Sequence, residues 1–243
     1  MISLLVGLAI GAPAPELGVD WNDPRVAAEA QARVIEALLD QGQPEKALSI
    51  VADIRAEGGD DPRLDVLQGR ALHATGMEEQ AEAMLTTYTR KHRSDPEGWA
   101  ALGVVQADTG SLADAAHSLE RARRLAPEDA DILNNLGFVK LSLGQAQDAV
   151  TLLEASLRID PSQTRTRNNL GFALARLERD DAALQAFKAA GSEADARYNL
   201  GVARLERGDR AGAITQFNLA LEAQPGHPAA TSAIAQLNKE ASP

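Results

Sequence analysis

The pentapeptide NNLGF occurs twice in this sequence and carries its clearest chemistry. It places Asn134–Asn135 ahead of Phe138 and Asn168–Asn169 ahead of Phe172, and the related YNLGV places Tyr198–Asn199 in the same context. A carboxamide donates and accepts hydrogen bonds at once, which matches the N–H and C=O groups of an extended peptide. The aromatic rings add apolar contact, so these residues predict a surface that binds a protein or peptide partner.

Two arginines extend this candidate surface. Arg165 and Arg176 flank the second NNLGF, and together they could hold one carboxylate of a ligand. Arg165 lies in the run TRTR, which is more typical of a solvated helix start than of a phosphate site. The candidate partner-binding residues are Asn134, Asn135, Phe138, Arg165, Asn168, Asn169, Phe172, Arg176, Tyr198 and Asn199.

Other kinds of site find little support in the sequence. A formal net charge of −11 argues against binding nucleic acid, which needs a continuous basic surface. There is no cysteine, and the four histidines have no metal-ligand spacing. The sequence also contains no nucleophile elbow and no glycine-rich phosphate loop. We therefore expect a protein that is not an enzyme and that uses no metal or cofactor.

The elements that must position the candidate residues repeat every 34 residues. A glycine recurs at Gly42, Gly76, Gly110 and Gly144. An alanine follows five residues later in each frame, and the alanine column continues through the chain as Ala47, Ala81, Ala115, Ala149, Ala183 and Ala213. A bulky apolar residue comes four positions after each alanine, as one face of a helix requires. Each unit therefore predicts two helices joined by a tight turn.

Six units account for most of the chain. Their predicted bounds are 28–61, 62–95, 96–129, 130–163, 164–193 and 194–227. The fifth unit is four residues short and has Glu178 where the others have their turn glycine, which predicts a stubby second helix and an altered entry angle for the next pair. Residues 228–243 predict a capping helix and tail, with an apolar stripe at Ala230, Ile234 and Leu237.

The spacing of Trp99, Leu102–Gly103, Ala115, Leu119 and Pro127 resembles that of a tetratricopeptide repeat. The resemblance covers about residues 28 to 240. It implies an all-α, right-handed α-solenoid of six helix-turn-helix repeats with a C-terminal capping helix. It also implies that partners bind the concave face, which the first helix of each repeat (helix A) presents. Asparagine before leucine-glycine is common in this family and can instead bond the adjacent repeat, so the asparagines have two interpretations.

The first 14 residues differ from the repeats. Met1 to Ala12 is apolar and uncharged, shorter than the ~17 residues of a spanning helix, and typical of the core of a secretory signal. It carries no basic residue ahead of the apolar run, and an apolar N-terminus is the alternative. Residues 15–27 form a linker and helix lead-in. We expect an exported, periplasmic or envelope-associated protein, with the cytoplasm as the alternative.

These features favour a scaffold or adaptor that holds a partner peptide or subunit in the repeat groove. One alternative, by analogy with exported relatives, is a structural component of a bacterial envelope, secretion or pilus assembly. Another is a non-catalytic regulatory subunit of a separately encoded enzyme.

Overall fold

The computed structural model describes residues 24–241. Over this range the chain forms thirteen α-helices and no strand, which confirms the predicted all-α class. The helices contain between 11 and 17 residues. Because helices of this length bury only one face, they are stabilised by packing on their neighbours.

The described part of the chain divides into two compact units, with the boundary between Leu125 and Ala126. The described helices of the first unit are α1 (Pro24–Asp40), α2 (Pro44–Ala56), α3 (Arg63–Ala74), α4 (Glu78–Lys91), α5 (Pro96–Asp108) and α6 (Leu112–Leu125). Those of the second are α7 (Ala130–Ser142), α8 (Ala146–Ile159), α9 (Thr164–Arg176), α10 (Asp180–Ala190), α11 (Glu193–Glu206), α12 (Arg210–Ala223) and α13 (Pro228–Ala241). Within each unit a helix packs on the next and each helix A also contacts the following helix A, as in a solenoid of repeats.

The repeated glycine in helix A lets the two helices of a pair touch. A Cβ added at Gly137 would lie 2.7 Å from Leu153 Cγ, and one added at Gly171 would lie 2.4 Å from Phe187 Cε1. Both partner side chains are fully buried. The same contact recurs at the pairs Gly69–Leu85, Gly103–Leu119 and Gly201–Phe217. These helix A glycines and the bulky residues that follow the alanine column are therefore the two sides of one contact.

The turn between the helices of a pair uses a left-handed residue. Gly144 has φ +77°. Its N–H donates to the Leu141 carbonyl, and the N–H of Gln145 donates to the Lys140 carbonyl. Glu178, with φ +60°, makes the equivalent bond to Ala175. A non-glycine residue thus adopts the glycine conformation at the turn of the fifth repeat.

The shortened repeat does have a stubby second helix, as predicted. Helix α10 has 11 residues, against 14 in α8. Its first residue, Asp180, accepts hydrogen bonds from Arg204 and Arg207, and Arg207 also donates to the Ala175 carbonyl at the end of α9. These contacts tie the short turn to the next repeat. The altered entry angle stays a prediction.

Helix α13 covers the end of the second unit. Ala230 and Leu237 are buried against α12, where they meet Phe217. His227 precedes the helix and caps its start, because the His227 Nδ1 accepts a hydrogen bond from the Ala230 N–H at 3.2 Å. Its Nε2 therefore carries the proton and donates to Asp195 at 3.1 Å.

The predicted export segment, residues 1–14, lies outside the described residues, as does most of the lead-in. Export therefore stays a prediction. None of the helices described between residues 24 and 241 is long and apolar enough to cross a membrane.

Candidate functional site

The predicted asparagines lie on three consecutive helices A of the second unit: α7, α9 and α11. Asn134 is buried, with 5% of its surface exposed, and its Oδ1 accepts from Asn169 Nδ2 at 2.9 Å. In the next repeat, Asn199 Nδ2 reaches Asn168 Oδ1 at 3.4 Å. The second asparagine position of one repeat thus donates to the first position of the preceding repeat, so each of these bonds joins neighbouring repeats.

The Asn134 carboxamide has almost no capacity left for a ligand. Its Oδ1 also lies 3.1 Å from the Thr166 hydroxyl, and its Nδ2 donates to Asn135 Oδ1 at 3.2 Å. For Asn134 the surroundings fit the packing interpretation, because a buried amide is stabilised by satisfying its own hydrogen bonds. Asn169 is only partly buried, and its Oδ1 has no partner among residues 24–241.

Thr166 is a structural residue that the sequence interpretation missed. It is fully buried, and its hydroxyl lies between Asn134 and Gln163 Oε1, 2.5 Å from the latter. The hydroxyl donates its one proton to either of them at a time. The repeat alignment could have indicated that Thr166 is buried. It occupies the position at which other repeats have the apolar residues Leu64, Ile132 and Ala196.

A groove crosses the same three helices beside the asparagines. Its volume is about 320 Å³, and it is open to solvent. The residues that line it, called the helix A groove below, are Phe138, Leu141, Ser142, Asn169, Phe172, Arg176, Ala203 and Glu206. Four of these, Phe138, Asn169, Phe172 and Arg176, are among the residues predicted from the sequence.

The aromatic side chains form the apolar part of the groove. Phe138 is 43% exposed and is one of five large apolar side chains among the described residues that are more than a third exposed. Phe172 is half-buried and meets Phe187 edge to face, with ring centroids 5.0 Å apart. Phe172 is thereby fixed in place, while Phe138 presents its ring to solvent.

The two predicted arginines lie at opposite ends of one helix. Both lie on α9, eleven residues apart, which is about 16 Å along the helix axis at 1.5 Å per residue. The two side chains therefore start far apart, and the suggestion that they hold one carboxylate stays a prediction. Arg176 lines the helix A groove, and Arg165 is exposed at the start of α9, outside it.

Tyr198 and the remaining asparagines do not line the helix A groove either. The Tyr198 ring packs beside Phe217 and His227, each with a centroid distance of 5.6 Å. Asn135, Asn168 and Asn199 are partly exposed next to the groove. Glu206, which does line it, was not predicted, although it occupies the same frame position in the sixth unit as Arg176 in the fifth.

Some polar helix A residues of the first unit contact one another or a neighbouring loop residue. Arg63 pairs with Glu29 at 2.5 Å and with Asp61 at 2.7 Å, and His73 pairs with Asp108 at 2.8 Å. The Arg63 guanidinium holds the pKa of Glu29 and of Asp61 below their ordinary values, and the two carboxylates, Asp61 first, raise the pKa of Arg63. These charges serve contacts between neighbouring helices.

The part of the chain from residue 24 to 241 contains no group of three or more metal-ligating side chains. The arrangement of the groove is suited to binding, with apolar, amide and charged groups side by side.

Family models described as tetratricopeptide repeat match the chain over residues 38–104, 101–164, 136–192 and 173–228. Together these matches run from residue 38 to residue 228, well over half of the chain. The protein therefore belongs to the tetratricopeptide repeat family, whose members are generally non-catalytic interaction scaffolds. A comparison with curated proteins gave no match.

Solved structures with this fold include YrrB, described as a tetratricopeptide protein with an unusual peptide-binding site. It is 25% identical with a TM-score of 0.58, over 76% of this chain and 97% of that one. PilF of Pseudomonas aeruginosa is 16% identical with a TM-score of 0.66, over 88% and 99%. MamA of Desulfovibrio magneticus RS-1 is 22% identical with a TM-score of 0.54, over 70% and 95%. At their lower identities, the last two likenesses concern the fold alone.

Proposed function

We propose that this protein is a scaffold that binds a segment of another protein in the helix A groove of its second unit. The observation that carries the proposal is the exposed ring of Phe138 in a groove that also contains Phe172, Asn169 and Arg176. Aromatic side chains are enriched in protein interfaces, and an apolar patch rimmed by polar residues is typical of a binding surface. YrrB, which is described as binding a peptide, supports this choice of partner.

The groups of the helix A groove match those of a polypeptide. Phe138, Leu141 and Phe172 offer apolar contact for a side chain of the partner. The side-chain oxygen Oδ1 of Asn169 can accept a hydrogen bond from a backbone N–H of the partner. Asn169 is held in place through Asn134, so little side-chain entropy is lost when it binds. The asparagines of the sequence interpretation thus contribute through Asn169, with Asn134 as its support.

Site-specific crosslinking in the native host tests the proposal. A photo-crosslinking amino acid is introduced at Ser142, which is exposed and lines the groove, and for comparison at Thr151, which is exposed on helix α8. We expect a discrete polypeptide to be captured from position 142 and not from position 151. The Phe138→Asp variant should abolish that product.

Phe138→Asp is suited to this test because a side chain exposed by nearly half can be replaced with little effect on folding. Far-UV circular dichroism of the variant provides the control. Identical products from both positions, or a product that persists in a folded Phe138→Asp variant, would rule the proposal out.

A further inference from the structure

Two side chains of the helix A groove carry charges that no described residue neutralises. Arg176 and Glu206 are both exposed, and neither forms an ion pair or hydrogen bond with any residue between 24 and 241. Arg204 and Arg207, by contrast, contact Asp180 at 2.7 and 2.8 Å. These two arginines are therefore committed to the fold, while Arg176 and Glu206 remain available.

The positions of the two charges set a distance for a ligand. Arg176 is the last residue of α9 and Glu206 is the last residue of α11, and these two helices A are in contact. Packed helix axes lie about 8–10 Å apart. An extended chain advances about 3.3 Å per residue, so a segment crossing both helices would pass from one charge to the other in two to three residues.

The apolar part of the helix A groove lies on the opposite side of Arg176 from Glu206. Phe138 and Leu141 belong to α7, Phe172 and Arg176 belong to α9, and Glu206 belongs to α11. A segment that crosses the helices in this order meets apolar groups first, then a positive charge, then a negative one.

The size of the groove favours an extended segment. Its volume of about 320 Å³ is at the small end of the ~300–1,000 Å³ found for ligand sites. A helix with its side chains is about 10–12 Å wide and would touch only the rim. One large side chain and the backbone beside it fit the space better.

We propose, on the basis of the proposed function above, that the partner segment is extended and presents an apolar, an acidic and a basic side chain in that spatial order. The apolar side chain contacts Phe138 and Phe172, the acidic one pairs with Arg176, and the basic one pairs with Glu206. The acidic and basic residues are two to three positions apart. Either chain direction satisfies this order.

Selection from phage-displayed random dodecapeptides tests the proposed order. The immobilised protein is the full chain, either unchanged or with the exchange Arg176→Glu and Glu206→Arg, which keeps the net charge. A second exchange, Glu154→Arg and Arg158→Glu on the exposed face of α8, is the matched control. Binding of the selected peptides is then measured by fluorescence anisotropy.

We expect the unchanged protein and the α8 control to select peptides in which the acidic residue lies between the apolar and the basic one. The groove exchange should select peptides in which the basic residue lies between the apolar and the acidic one. A peptide selected on the unchanged protein should bind the groove exchange about tenfold more weakly, because two exposed charge pairs become repulsive. Selection of the same order by all three proteins, absence of any charge order, or peptides that bind Phe138→Asp unchanged would overturn the inference.

The crosslinking at Ser142 keeps the two proposals separable. A specific product at Ser142 without a charge order among the peptides removes this inference and leaves the proposed function. Absence of a specific product at Ser142 removes the proposed function, and this inference falls with it.

Discussion

Replacing Glu178 with glycine should stabilise the protein. Glu178 has φ +60°, a conformation that costs an L-residue about 1–2 kcal/mol. Glycine removes that cost but loses about 0.5–1 kcal/mol more backbone entropy on folding. The net expectation for Glu178→Gly is a gain of about 0.5–1 kcal/mol in the free energy of unfolding.

The preceding repeat supplies the matched control. Gly144 occupies the same turn position with φ +77°, and a Cβ added there would meet nothing within 4 Å. Any effect of Gly144→Ala therefore comes from the backbone conformation and not from a clash. We expect this variant to lose about 1 kcal/mol.

Urea unfolding followed by far-UV circular dichroism measures both variants, and hydrogen exchange of the α9 and α10 amides shows whether the change is local. Glu178→Ala serves as a further reference, because it keeps the Cβ and also removes the attraction between Glu178 and Arg207. The reasoning is refuted if Glu178→Gly is no more stable than Glu178→Ala, or if Gly144→Ala costs nothing.

Three further predictions concern the contacts that hold the repeats. Asn134→Ala leaves the Thr166 hydroxyl and the Asn169 side-chain amide without this acceptor. It should lower the free energy of unfolding in urea by about 1–3 kcal/mol. Asn135→Ala should cost clearly less, and equal costs for the two variants would contradict this prediction. Gly171→Ala places a methyl group against Phe187. The resulting overpacking, about 1–3 kcal/mol, should outweigh the ~1 kcal/mol gain in helix propensity, so the variant should be less stable. A variant as stable as the parent would contradict this. Arg207, and after it Arg204, lower the pKa of Asp180 below 3.8, so the stability from this group is present above that pH and is lost as the pH falls through the folded-state value. Thermal unfolding at pH 7 and near pH 3 should show a smaller loss on acidification for Asp180→Asn than for the parent.

The repeat fold could be predicted from the sequence because the residues of the same helix–helix contact recur in several repeats. Gly137 and Leu153 touch in one repeat and Gly171 and Phe187 in the next, so each column of the register confirms the other. The short helix α10 could be predicted because the fifth repeat is four residues shorter than the 34-residue period. Periodicity specifies which residues must be small or bulky, and it does so without any knowledge of the ligand.

The site could be predicted only in part, because residues with the same spacing have different surroundings. Asn134 and Asn169 look alike in the sequence, yet one is buried between repeats and the other lines the helix A groove. Tyr198 was predicted by its place before an asparagine, but its ring packs on Phe217. Helical spacing shows which residues share a face, and the packing of the next repeat decides how much of that face stays exposed.

Variation at one frame position separates the demands of the fold from those of binding. Ser142, Arg176 and Glu206 are the last residues of three successive helices A, and all three are exposed in the helix A groove. The packing columns keep small or apolar residues in each repeat because the same contact must form every time. A position that changes from a hydroxyl to a positive and then a negative charge serves no such repeated contact, and among the described residues neither charge has a partner. The inference drawn above assigns these two opposite charges to a ligand that crosses both helices.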